Sequence, residues 1–106
     1  MAQPSDLNES FRAQHPKVWK AFAKLADECH GEGPLDDKSR RLIKVALAVG
    51  AGLEGAAHSA VRHALEAGIT QQELDHVAVL AITTLGYPPA MRALSWIHDQ
   101  GADSRV

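Results

Sequence analysis

Two runs in this chain, Leu42 to Val49 (LIKVALAV) and Val77 to Leu85 (VAVLAITTL), are apolar on almost every side once wound into helices. A helix of that kind belongs in the middle of a larger mass. The chain has only 106 residues, enough for one core and not for two, and a domain this small buries only about 60–65% of its unfolded surface. The two runs therefore demand cover from outside, and a homo-oligomer is the expected remedy. Aromatic residues make up 5% of the chain against 45% hydrophobic overall. Packing thus falls to Ala, Leu, Val and Ile, which suit close helix contact better than a large cavity.

Turn and cap residues divide the rest. Pro16 fits a first helical turn, and Val18, Phe22, Leu25 and Ala26 follow on one face, predicting a helix over about 16–30 that ends near Gly31. The loop GEGPLDD leads to Asp36 or Asp37, either of which can cap the helix containing KSRRLIKVALAVG. Glycines in GAGLEG break the chain, and a third helix covers about 54–67 with Gly68 as its αL cap. Thr70 and Glu73 match a capping box, with Ile69 as the apolar residue before it, and open a helix running to Leu85. Gly86 and the Pro88-Pro89 pair start a last helix before Gly101. No strand alternation or internal repeat occurs, so the reading is all-α with about five helices. Residues 1–10 are expected to lack fixed structure, 11–100 to form a single helical domain, and 101–106 to be a flexible tail.

Several function classes are poorly served by this sequence. Eleven basic and thirteen acidic residues give a formal charge of −2 and no basic patch to neutralise phosphates. HALEAGITQQELDHV has the outline of a helix-turn-helix, but beyond His76 its second helix reads Val-Ala-Val-Leu-Ala-Ile, a core sequence rather than a base-reading one. No nucleic-acid partner is expected. The N-terminus lacks the basic and apolar regions of a secretory signal, and no window approaches the roughly 20 apolar residues of a membrane span. One cysteine, Cys29, excludes an internal disulfide or a CxxC redox pair and reads as a structural thiol. A cytoplasmic location without membrane association is the corresponding expectation.

The polar residues of GLEGAAHSAVRHALEAG (52–68) are the candidates for chemistry. At about 100° per residue, Ala57, Val61 and Ala64 form an apolar stripe with Leu65 on its flank. Glu54 and His58, four residues and about 40° apart, share one edge of that stripe and should be partly buried. A carboxylate beside an imidazole fixes its tautomer, as a general base or proton relay requires. The plainer alternative makes Glu54 a first-turn acid that suits the helix dipole and His58 a hydrogen-bonding residue at a subunit boundary. His63 lies about 140° from His58 and reads as an exposed or interface residue. No metal or cofactor is assigned, since a zinc site on Glu54 and His58 would need ligands from another helix or subunit.

The combination LDDKSRRLIKVALAVGAG, the run Ala64-Leu65-Glu66-Ala67-Gly68-Ile69-Thr70, Glu73 and the Gly86-Tyr87-Pro88 turn with Ala90 resembles the carboxymuconolactone decarboxylase family, which includes the AhpD-like alkylhydroperoxidases. The resemblance covers about residues 35–97 and implies a helical fold assembled as a trimer or hexamer. The AhpD-like branch uses Cys-x-x-Cys-x-x-x-His, and these positions fall here on Leu53, Ala56 and Ala60. Arg40 and Arg41 occupy the region of that branch's relay glutamate, so thiol peroxidase activity is not expected. The resemblance instead implies decarboxylase-like chemistry without a cofactor on a small organic acid or lactone, for which Glu54 and His58 are the acid/base candidates. The alternative is a non-catalytic oligomeric or small-ligand-binding member of the family.

Overall fold

Short-range signals at the helix ends set the element order in the computed structural model, which describes residues 4–99, with side chains from residue 7 onward. Among the described residues every regular element is helical: α1 (Pro4–Gln14), α2 (Pro16–Gly31), α3 (Asp37–Gly50), α4 (Glu54–Glu66), α5 (Gln71–Leu85) and α6 (Tyr87–His98). There are thus six helices rather than about five. The added one is α1, in a stretch expected to lack structure up to residue 10. Its polar sequence hides a local anchor: the Arg12 guanidinium lies 4.3 Å from the Trp19 ring centroid, a cation–π contact onto α2. His15 breaks the two helices with φ −132° and ψ 60°, because Pro16 disfavours helical backbone in the residue before it. The expected tail at 101–106 lies outside the described residues.

The chain forms two compact units, one reaching to Leu35 and the other beginning at Asp36. In the first, α2 buries none of its residues, and Val18, Phe22 and Leu25 leave their apolar face exposed. In the second, α3 pairs with α4 and α5 with α6, and the contacts α3–α5 and α4–α6 close the four helices into one packed body.

The caps follow the sequence reading closely. Asp36 accepts a hydrogen bond from the Ser39 backbone N–H at 2.7 Å. Thr70 and Glu73 form the reciprocal capping box, satisfying backbone donors that a helix start leaves without partners. The α4 terminus is a Schellman motif: Ile69 N–H donates to the Ala64 carbonyl and Gly68 N–H to the Leu65 carbonyl, each at 3.0 Å. Gly68 there takes φ +94°.

Of the fourteen buried hydrophobic residues among those described, seven are alanine, and the largest fully buried side chains are only Leu74, Ile97, Val45 and Val61. Side chains this small let helix axes approach the short end of the 8–10 Å range. The predicted stripe of α4 is in this core, with Ala57, Val61 and Ala64 each 0% exposed and Leu65 packed against it. Trp96 is buried beneath the Arg92 guanidinium. The two apolar runs are covered on one side only: Val45, Ala48, Ala78 and Ala81 point inward, while Ile43, Leu47, Val79 and Leu80 remain exposed.

Candidate functional site

The α4 helix begins at Glu54, after Leu53, whose apolar side chain makes no capping hydrogen bond. A carboxylate at the first helical position faces the positive end of the helix dipole. One turn later comes His58, whose side chain is 16% exposed beside the buried Ala57 and Val61. The predicted pair is therefore unequal. His58 is partly buried as expected, whereas Glu54 is exposed, because its place at the helix start lies beyond the cover given to the stripe.

A third group completes the cluster. Asp99, at the C-cap of α6, brings a carboxylate oxygen to 3.4 Å from Nε2 of His58. One oxygen or nitrogen each from Glu54, His58 and Asp99 lies within 4.8 Å of the other two. Burial of Trp96 and Ile97 holds the end of α6 in the packed unit, and the preceding residue ties it down again. His98 Nε2 lies 2.9 Å from an Asp75 carboxylate oxygen on α5, and the Gln71 side-chain amide donates to the same oxygen at 3.2 Å. Consecutive residues His98 and Asp99 thus reach α5 and α4. Sequence reasoning missed both, since a separation of some forty residues between His58 and Asp99 carries no periodic signal.

The positions corresponding to the thiols and histidine of the AhpD-like branch are apolar. Leu53 and Ala56 are exposed, and Ala60 packs against the core. Arg41 donates from Nε to an Asp37 carboxylate oxygen at 2.9 Å, and Arg40 lies 3.6 Å from the same carboxylate, so both belong to surface ion pairing at the start of α3. Cys29, read as a structural thiol, is exposed on α2. His63 is exposed, as expected.

A separate groove of about 410 Å³ runs between α3 and α5, lined by Leu42, Ala46, Val77 and Thr84 among others, with Glu73 and His76 as its ionisable residues. It contains neither Glu54 nor His58. Glu73 already serves as a capping acid and ion-pairs with Lys38. Hydrogen bonding from the Lys38 ammonium, and then from the Thr70 backbone and hydroxyl, holds its carboxyl below the usual range. The groove is therefore an apolar surface with an engaged acid at its edge, and the convergent polar side chains stand at the Glu54–His58–Asp99 cluster.

Comparison with known proteins agrees with this fold. The chain is 26% identical over 100 residues to an uncharacterized protein of Methanocaldococcus jannaschii, covering 94% of both chains. It is similar to the crystal structure of the apo form of a carboxymuconolactone decarboxylase family protein from Legionella pneumophila, with a TM-score of 0.74 and 26% identity over 91% of this chain and 88% of that one. The family model for carboxymuconolactone decarboxylases matches residues 16–99, which span α2 to the end of α6 and include all three residues of the cluster. The chain belongs to the carboxymuconolactone decarboxylase family.

Proposed function

We propose that this protein carries out decarboxylase-like acid/base chemistry on a small organic acid or lactone, with His58 exchanging the proton and Glu54 and Asp99 positioning its ring. The observation that carries this reading is the 3.4 Å approach of Asp99 to His58 Nε2, which adds a second carboxylate, from a distant part of the chain, to the Glu54–His58 pair. In such a reaction the bond to the carboxylate carbon breaks and carbon dioxide leaves. The electron pair left behind then takes a proton, and His58 is the group proposed to deliver it.

The test is carbon dioxide release from carboxymuconolactone by purified protein. His58→Ala is expected to lower kcat by about 10²–10⁴-fold, the usual contribution of general acid–base catalysis, and Glu54→Gln is expected to abolish most turnover, both without dispersing the assembly. Absence of release by the unaltered chain, or undiminished turnover in both variants, refutes the assignment.

Assembly into a homo-oligomer, of the trimeric or hexameric kind that the family resemblance implies, belongs to the same proposal. Its support is the outward apolar side chains of α3 and α5, where Leu47 is 66% and Leu80 60% exposed, Leu80 also lining the apolar groove between the two helices. Light scattering is expected to give a multiple of the 11.4 kDa chain mass, and Leu47→Lys with Leu80→Lys is expected to reduce it. A folded 11.4 kDa species at micromolar concentration defeats the assembly reading.

A further inference from the structure

We propose that Glu54, His58 and Asp99 form a binding site for a first-row divalent transition-metal ion of the zinc class. The three side chains come from the first residue of α4, from one turn further along it, and from the C-cap of α6, and all belong to the unit that begins at Asp36. Each offers one donor atom, the three within 4.8 Å of one another. Donors around a tetrahedral zinc, at bond lengths of about 2.0–2.2 Å, stand about 3.4 Å apart. The His58–Asp99 separation, 3.4 Å, already matches that spacing, and the exposed Glu54 has the rotamer freedom to close the remainder.

Ligand chemistry sets the choice of ion. An imidazole with two carboxylates suits zinc, cobalt or manganese, whereas calcium and magnesium prefer all-oxygen shells. Three protein ligands leave the fourth position open, the pattern of a reactive rather than a purely structural zinc site. The Nε2 atom of His58 exposes less than 1 Å² to solvent and lies against the Asp99 carboxylate, inside the cluster rather than in bulk water.

This inference does not rest on the acid/base reading, and the two are alternative uses of one atom: an Nε2 that holds an ion carries no proton, so His58 exchanges a proton only while the site is free of metal. The metal site is tested on the full chain, stripped with chelator and titrated with zinc sulfate by calorimetry, then with cobalt chloride followed by visible absorption. One zinc per chain and a tetrahedral cobalt band near saturation are expected, with affinity falling at least tenfold in His58→Ala and again in Asp99→Asn, while His63→Ala binds as the unaltered chain does. No saturable binding, or binding that both cluster variants retain in full, overturns the proposal. Neither readout needs a substrate, so failure here and failure of the decarboxylase test are separate results.

Discussion

Replacing glycine by alanine is expected to act in opposite directions at the two ends of α4. At Gly55 the backbone is helical and an added Cβ meets nothing within 4 Å. The methyl group therefore costs no packing and only narrows the unfolded ensemble, stabilising by about 0.4–1 kcal/mol. At Gly68 an added Cβ also meets nothing within 4 Å, but φ is +94°, where an L side chain crowds its own backbone at about 1–2 kcal/mol. Space is equal at the two sites, so their difference isolates backbone conformation. For a chain of this size that difference separates the two melting temperatures by on the order of 10 °C. Thermal unfolding followed by circular dichroism, at one fixed protein concentration so that any assembly contributes equally, reads it directly. Equal shifts in the two variants, or a Gly68→Ala protein as stable as the parent, would show that α4 does not end in the Schellman geometry.

Other consequences are quicker to check. Ala57→Leu forces extra methylenes into a site with 0% exposure and is expected to cost about 1–3 kcal/mol in urea unfolding; an unchanged midpoint would mean that α4 is loosely packed. Acidification is expected to destabilise the unit that begins at Asp36. Hydrogen bonds from Ser39, chiefly its side chain and then its backbone, hold the Asp36 carboxyl low, and Lys38 with Thr70 does the same for Glu73. A carboxyl lowered by folding contributes stability that is complete above its unfolded value, about 4, and is lost as pH falls through the folded one. The pair Asp36→Asn with Glu73→Gln should thus flatten the loss of melting temperature below about pH 4–5, and an unaltered slope would show that these two caps do not drive it.

The legible parts of this protein were those whose causes lie within a few residues. Asp36, the Thr70–Glu73 box, Gly68 and the Pro88-Pro89 start each act through hydrogen bonds or φ preferences spanning one turn, and the α4 stripe follows from helical spacing alone. The N-terminal helix was not legible, because its hold on α2 through Arg12 and Trp19 depends on a pairing that composition does not encode. At the cluster, His58 could be placed on an edge from its angle to Ala57 and Val61. The exposure of Glu54 depended on which neighbours end where, and Asp99 arrives only because α6 packs along α4. Distant partners of that kind leave no trace in local spacing.

A core in which every second buried hydrophobic position carries only a methyl group also restricts how such a protein acquires new specificity. A leucine-rich interior can be hollowed by trimming side chains, leaving a chamber that a ligand fills. Here Ala57, Ala64 and Ala93 have almost nothing left to remove, and enlarging them pries the helices apart. Recognition of a different small molecule must therefore be written on the outer skin, at helix ends such as those bearing Glu54 and Asp99, where exchanges leave the close-set interior undisturbed.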